Sequence, residues 1–303
     1  MAEQEVIDET GSDAQSDPVL TSLRAHLQRA RELWDEPPVR TLLHNGGADD
    51  PIAYVAGAYN SRTDTLHINR AMLDHRRTQG MDYHRQLRYL LPHELGHRAH
   101  LRAAMRAGLW VQWISVNAGA LEPLRQRDLD HIFNQILDYA IDAELTRRGV
   151  EKEASLEDFA ESVGAVEGAP PTPALAVREL LSAIALHDFG SPREVAWVRS
   201  AFLEGLRVTG REGLWDTVIP LLGRLHLFLP GTFRSVLPQV VMALQEGLHV
   251  RPIEVQSHRL PYVPAIWDRP RVELFEVYVR EPANANELQS APYGQSPHAL
   301  ARR

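Results

Sequence analysis

The residues of this 303-residue chain whose types and spacing could do chemistry stand together in HELGH, residues 93–97. His93 and His97 are four positions apart, so on an α-helix they share one face and both imidazoles can reach one metal ion. Glu94 follows the first histidine, where its carboxylate can take a proton from water on that metal. A Zn²⁺ ion held in this way lowers the pKa of its water and polarises a carbonyl, which is the chemistry of hydrolysis.

The same segment has a simpler interpretation. The chain contains 14 histidines, and HExxH also arises by chance, in which case His93 and His97 belong to a partly exposed helix face. A catalytic zinc site needs a third protein ligand as well as a position for water. His100 lies about 10 Å beyond His93 along a straight helix, so we expect it outside the coordination sphere.

The third ligand is expected from a second helix, predicted over Asp128–Arg148. Beside its apolar stripe, Asn134, Asp138 and Asp142 form a polar row at i, i+4 and i+8. Asp138 would complete the site, and Asp142, one turn on, would hold the Nδ1–H of a ligand histidine. Asp142 and Glu144 remain alternative ligands, and a solvated helix edge is the alternative for the whole row.

HELGH, followed about forty residues later by DYAID, resembles the gluzincin type of zincin metallopeptidase. That family has an HExxH helix and then a helix with Glu-x-x-x-Asp. The resemblance implies that His93 and His97 bind zinc and that Glu94 is the general base. It also implies that Asp138 replaces the ligand glutamate and that Asp142 matches the supporting aspartate.

The segment FNQILDYAID, residues 133–142, adds a second likeness. It is similar to an Asn-x-x-x-Asp-x-x-x-Asn helix of metallopeptidases often found with von Willebrand A-like domains. Asn134 and Asp138 match, and Asp142 replaces the second asparagine, so Asn134 is also expected to support the ligand. The resemblances cover about residues 50–150, and residues 171–280 show no von Willebrand A-like pattern.

Several elements must position these residues. Leucines at helical spacing predict a first helix over Asp17–Trp34. Residues 52–59, a turn and Thr65–Asn69 predict a hairpin, with Thr65–Asn69 as an open edge that a peptide strand could join. Asn69 is expected to cap a short helical turn at Arg70–Asp74.

The motif helix has two possible extents. Its pattern runs from Asp82 to Met105, but Pro92 means that the helix either bends there or begins near that proline. Later in the chain, Ser191–Glu194 has the form of a capping box. Additional segments predict three more helices and one strand, namely Ala174–His187, Glu212–Phe228, Thr232–Glu246 and the strand Arg271–Arg280.

The expected fold is α+β and mainly helical, with a small sheet or hairpin packed on the HExxH helix and the third-ligand helix. Residues 1–16 are predicted to be a disordered acidic tail and residues 17–150 a zincin-like metallopeptidase core. Residues 151–173 would be a linker and residues 174–281 a helical C-terminal region with a late strand. Residues 282–303 would be a disordered tail.

Composition excludes several classes of partner. The net charge is −8 without a basic stripe, which argues against nucleic acid. No run of about 18 apolar residues predicts a membrane span. The chain has no cysteine, so metal ligands must come from His, Asp and Glu. The acidic N-terminus is unlike a signal peptide, which predicts a cytoplasmic protein.

These observations predict zinc-dependent peptide-bond hydrolysis, with Glu94 activating water and with a protein or peptide as substrate. The helical C-terminal region could bind a protein partner. The alternative is a zincin-like, non-catalytic protein-interaction module whose metal site is structural or degenerate. A donor for the developing oxyanion would be needed for catalysis, and His131, Tyr139 and Tyr83 are candidates.

Overall fold

The computed structural model describes residues 6–10, 17–46, 55–116, 126–152, 173–208, 212–248, 251–259 and 273–280. Helices predominate, and two small sheets accompany them, so the predicted mainly helical α+β class is confirmed. The described residues up to Arg102, with residues 145–152, form one compact unit, and the other described residues form a second. The predicted tail 282–303 and nearly all of the predicted linker 151–173 lie outside the described residues.

A four-stranded sheet lies in the first unit. Its strands follow the order β1-β2-β4-β3, in which β1, β2 and β4 are parallel and β3 is antiparallel to β4. Their bounds are β1 Val6–Asp8, β2 Arg40–His44, β3 Gly57–Asn60 and β4 Thr65–Asn69. The predicted hairpin is therefore confirmed as β3 and β4.

The prediction that Thr65–Asn69 is an open edge is wrong. Strand β2 pairs with β4 along its whole length, from Arg40 opposite Thr65 to His44 opposite Asn69. Thr65 and Asn69 are buried, as are Leu66 and Ile68, which is typical of a strand inside a sheet. Strand β3 is the edge instead, and only long-range pairing with β2 decides this.

The prediction of a disordered tail over residues 1–16 is wrong for the short strand β1. Val6, Ile7 and Asp8 pair in parallel with Thr41, Leu42 and Leu43, and Val6 is buried. Three residues among acidic neighbours carry too little pattern to predict a strand, because β pairing depends on a partner far along the chain. Residues 1–5 and 11–16 lie outside the described residues.

Side-chain caps begin two of the helices in this unit. Helix α1, Pro18–Trp34, starts where Oδ1 of Asp17 accepts a hydrogen bond from the N–H of Val19 at 2.8 Å. Helix α2, Arg70–Thr78, starts where Asn69 accepts a hydrogen bond from the N–H of Met72 at 3.3 Å. The predicted cap at Asn69 is confirmed, and the helix is longer than the turn expected from sequence.

Helix α3, Tyr83–Ala107, carries the HELGH segment and runs through Pro92 without ending. Proline lacks the N–H that would bond to the preceding turn, so it costs the helix one hydrogen bond. The indole N–H of Trp34 donates to the Pro92 carbonyl at 2.6 Å, which ties α1 to α3 at this position. Of the two predicted extents, the structure adopts the longer helix.

The remaining helices are α4 Gln126–Arg147, α5 Pro173–Phe189, α6 Pro192–Trp197, the π-helical turn Val198–Phe202, α7 Leu203–Val208, α8 Glu212–Leu222 and α9 Pro230–Leu248. The capping box is confirmed, because the N–H of Ser191 donates to Oε2 of Glu194 at 2.6 Å. The helix predicted to reach Phe228 ends at Leu222, where Gly223 begins a turn. Glycine favours helix termination because it has the largest conformational freedom.

A second sheet belongs to the second unit. Strand β5 Leu109–Val116 is parallel to β7 Glu273–Arg280, and β6 Arg251–Arg259 is antiparallel to β7. Strand β7 confirms the predicted late strand, whereas β5 and β6 were not predicted. Among the residues that the structure describes, no helix is both long and apolar enough to cross a bilayer.

Candidate metal centre

One face of α3 carries a row of aromatic rings. Tyr89, His93 and His97 follow one another at i, i+4 and i+8, which places them on successive turns of the same face. The ring centroids of Tyr89 and His93 are 5.4 Å apart, and those of His93 and His97 are 5.3 Å apart. Local helix geometry is therefore sufficient to bring the two histidines of the motif together.

Asp138 of α4 joins these two histidines. One coordinating atom from each of His93, His97 and Asp138 lies within 4.8 Å of the other two, and all three residues are partly buried. Two imidazoles and one carboxylate are a donor set that suits Zn²⁺, and three protein ligands leave a position for water. These residues could hold a metal ion, and they are the three that the sequence predicted.

The alternative third ligands are not part of this group. Across the described ranges, neither Asp142 nor Glu144 belongs to a gathering of three or more possible metal ligands. Both carboxylates are buried, with 2% and 4% of their surface exposed. His100, which the sequence placed outside the coordination sphere, is likewise not part of the group.

Asn134 contacts the third candidate ligand. Its Nδ2 lies 3.4 Å from Oδ1 and 3.3 Å from Oδ2 of Asp138, so the amide can donate to the carboxylate one turn along α4. This contact agrees with the supporting role expected for Asn134. The hydrogen bond expected between Asp142 and a ligand histidine stays a prediction.

Tyr89 is a contact of the site that sequence reasoning missed. Its hydroxyl lies 3.1 Å from Nδ1 of His93. When Nδ1–H donates to this oxygen, the lone pair of Nε2 is left for a metal, because neutral imidazole carries one N–H. Lys152, the only lysine of the chain, donates to the same oxygen at 3.4 Å. The position of Tyr89 four residues before His93 was the available signal.

A neighbouring face of α3 contacts the β3–β4 hairpin through a second row. Leu90, Glu94 and Arg98 occupy i, i+4 and i+8. A Cβ on Gly57 would lie 3.2 Å from Cδ2 of Leu90, so glycine permits this close approach of β3. Oε2 of Glu94 accepts a hydrogen bond from the N–H of Tyr59 at 3.0 Å.

The alternation of the antiparallel ladder explains why Tyr59 reaches Glu94. The N–H of Asn69 donates to the carbonyl of Ala56, and hydrogen-bonded pairs then alternate along the hairpin. Gly57 and Tyr59 therefore direct their backbone groups away from β4, towards the edge of the sheet. At that edge the carboxylate of Glu94 accepts the hydrogen bond from the N–H of Tyr59.

Arg98 anchors the turn of the hairpin. Its Nε and Nη2 each donate to one carboxylate oxygen of Asp64 at 2.7 Å, and its Nη1 donates to Oε2 of Glu36 at 2.9 Å. The Tyr59 hydroxyl donates to Oδ1 of Asp64 at 2.7 Å. Burial acts to raise the pKa of Asp64, but the hydrogen bonds from Arg98 and Tyr59 outweigh it and hold this pKa below its ordinary value.

Helix α4 is anchored to α5 by polar contacts. The Tyr139 hydroxyl donates to Oδ2 of Asp188 at 2.7 Å, and Nε2 of Gln135 donates to Oγ of Ser182 at 3.0 Å. Burial, and then the hydrogen bond to Asp188, raise the pKa of Tyr139. Tyr139 neighbours Asp138, so these contacts fix the part of α4 that presents the carboxylate.

The three candidates for the oxyanion donor, Tyr139, Tyr83 and His131, differ in their hydrogen-bond partners and in their exposure. The Tyr139 hydroxyl donates to Asp188, and the Tyr83 hydroxyl contacts Asp74 and Arg77. Tyr83 precedes His93 by ten positions, about 15 Å along the helix. His131 lies on the exposed face of α4. Both tyrosine hydroxyls are thus committed to other carboxylates.

The chain matches no family model, no curated protein and no solved structure. Its function is therefore inferred from its own residues and their geometry.

Proposed function

We propose that this chain is a zinc-dependent peptidase whose metal is held by His93, His97 and Asp138. The proposal rests on one observation, the approach of an aspartate carboxylate to the histidine pair of an HExxH helix within 4.8 Å. A zinc ion bound there would polarise the substrate carbonyl and make water more acidic. The two imidazoles and the carboxylate fit that ion by chemical type and by number.

Glu94 would act as the general base. Its side chain is buried, with 8% of the residue surface exposed, and it stands next to His93 on α3. The N–H of Tyr59 holds Oε2, which orients the carboxylate and leaves Oε1 to accept a proton. A base must lie within hydrogen-bond reach of the proton that it takes, so this fixed orientation supports the role.

The edge strand β3 supports a peptide as the substrate. The N–H and C=O of Gly57 and the C=O of Tyr59 point away from β4, and an extended peptide can pair with these groups through its own main chain, beside the Tyr59 N–H that Glu94 holds. Strand β3 is also the strand whose Tyr59 contacts Glu94. A peptide bound to this edge would pass beside the proposed base.

The test compares wild type and Glu94→Gln for zinc content and for hydrolysis of an unfolded substrate, fluorescently labelled casein. We expect one zinc per chain in both proteins and hydrolysis by the wild type alone, because the amide cannot accept the proton. Glu204→Gln on the exposed face of α7 is the matched control and should hydrolyse casein normally. A variant with full activity and bound zinc would exclude Glu94 as the base.

The same experiment decides between the peptidase and the non-catalytic interaction module. Zinc binding without hydrolysis by the wild type would contradict the peptidase and favour the module. A wild type that binds no zinc, even after addition of the metal, would contradict both the metal site and the mechanism.

A further inference from the structure

An ion-pair cluster with Arg98 and Glu36 at its buried centre connects the turn of the β3–β4 hairpin to the helix of the proposed metal site. Arg98 follows His97 directly, is 3% exposed and is held by Asp64 on one side and Glu36 on the other. Arg102, one turn later on α3, also approaches Glu36 at 3.4 Å. None of these residues takes part in the chemistry proposed above.

The cluster and Glu94 hold the same hairpin. Asp64 accepts hydrogen bonds from Arg98 and from the hydroxyl of Tyr59, and the N–H of that same tyrosine donates to Glu94. Tyr59 thus makes two hydrogen bonds to carboxylates, one from its hydroxyl to Asp64 and one from its backbone N–H to Glu94. Movement of the hairpin along α3 would break both contacts together.

The geometry of Asp64 is specific to this arrangement. Its φ is 49°, in the left-handed region that non-glycine residues seldom adopt and that aspartate tolerates better than most. The left-handed turn presents both carboxylate oxygens to the fork of the Arg98 guanidinium. A paired guanidinium and carboxylate fix direction as well as distance, because both hydrogen bonds must form at once.

Stability alone gives a weak reason for such a cluster. Burying charges costs solvation, and apolar residues of similar volume are often as stabilising as a buried ion pair. Directional contacts that fix β3 relative to Glu94 are something an apolar cluster would not supply. The hydrogen-bonded cluster is therefore better explained by its effect on the position of β3 relative to Glu94 than by its effect on stability.

We propose that Tyr59, Asp64 and Arg98 are positioning residues for Glu94: they lock β3 onto α3 so that the N–H of Tyr59 holds the carboxylate in place. The inference rests on the proposed function, since it concerns the proposed base. The contacts that hold β3 against Glu94 are present in the chain alone, so their effect can be measured without any substrate or metal.

The first test measures hydrogen exchange of the backbone amide of residue 59 in the full-length, metal-free protein. We expect Tyr59→Phe and Glu94→Ala each to accelerate this exchange at least about tenfold, because a charge-assisted hydrogen bond protects the amide in the wild type. The double variant should exchange no faster than Glu94→Ala alone. Additive effects, or an unchanged rate in Tyr59→Phe, would overturn the inference.

Tyr83→Phe is the matched control for this exchange. Tyr83 also pairs its hydroxyl with an aspartate, Asp74, and with an arginine, Arg77, but it lies at the start of α3. Its variant should leave the exchange at residue 59 unchanged. An equal acceleration in Tyr83→Phe would mean that general loosening is responsible, and the inference would fail.

The second test uses the zinc-loaded protein and casein hydrolysis. We expect Tyr59→Phe to lower kcat about tenfold with little change in KM and with full zinc content, since misorientation of the base affects the reaction more than binding. Asp64→Asn, which tolerates the left-handed turn and keeps an acceptor for Tyr59, should lose less than Asp64→Ala. A rise in KM alone would overturn the positioning role.

The results can contradict the positioning role without contradicting the proposed function, and the reverse. A zinc-loaded wild type without hydrolysis would contradict the peptidase, while the exchange experiment would still decide whether the lock holds Glu94. If the wild type hydrolyses casein but Glu94→Ala leaves the amide exchange at residue 59 unchanged, the proposed function stands and the positioning role of Tyr59, Asp64 and Arg98 is wrong.

Discussion

The N–H of Tyr59 donates a hydrogen bond of 3.0 Å to Oε2 of Glu94, and it joins the edge of the four-stranded sheet to the HELGH helix. Two neighbouring rows of side chains run side by side along α3. One row, Tyr89, His93 and His97, includes the two proposed histidine ligands. Glu94 belongs to the other row, with Leu90 and Arg98, which contacts the hairpin. The helix thus carries the proposed metal ligands and the attachment of the sheet on adjacent faces.

Asp138→Ala is expected to lower zinc content sharply. The substitution removes the only carboxylate in the described group of His93, His97 and Asp138, and two imidazoles hold zinc weakly. Elemental analysis after exhaustive dialysis measures this directly. Asp130→Ala on the exposed side of the same helix is the control and should retain one zinc. Equal zinc content in both variants would remove Asp138 from the site.

Tyr89→Phe is expected to weaken zinc binding about tenfold, because the hydroxyl that contacts Nδ1 of His93 is lost and the imidazole is less well oriented. The dissociation constant can be measured by competition with a chromophoric chelator. Tyr83→Phe on the same helix should bind zinc as the wild type does. An unchanged constant in Tyr89→Phe would show that the hydroxyl does not influence the ligand.

Arg98→Met is expected to lower the free energy of unfolding by about 3 kcal/mol, the lower end of the loss for a broken buried ion pair, because Arg102 stays near Glu36 and Asp64 is partly exposed. Urea unfolding followed by circular dichroism measures the change. Arg207→Met removes an exposed ion pair with Glu204 and should have little effect. Similar losses in both variants would mean that burial of the Arg98 cluster is not the cause.

Acidification is expected to destabilise the first unit through His26. Burial, and then the positive charges of His84, Arg29 and Arg88, lower the pKa of His26 from 6.5 to about 4. Between these pH values the unfolded chain binds the proton more readily, so the free energy of unfolding falls as the pH is lowered from 6.5 to about 4. Above pH 6.5 this contribution is constant.

Urea unfolding at several pH values measures the effect of His26. His26→Gln should flatten the decline, because the amide does not titrate, whereas His75→Gln on the exposed surface of α2 should keep it. A decline of the same steepness in His26→Gln would assign the pH dependence to other groups.

Local patterns predicted the helices well because their signals are local. The caps at Asp17 and Asn69 lie within three residues of the amides that they bind, so the sequence displays both partners at once. The end of α8 and the strands β1, β2, β5 and β6 were not predicted. Strand pairing depends on segments far apart in the chain, so a short strand read alone looks like a loop.

The sequence by itself determined that His93 and His97 share a face of one helix, because a spacing of four residues matches the helical repeat. It also brought Tyr89 and Glu94 next to them. Only the tertiary structure decided that Asp138 meets the histidines, that β3 is the edge, and that Glu94 binds Tyr59, 35 residues away. Contacts across such separations depend on how whole elements pack, which the local pattern of residues does not specify.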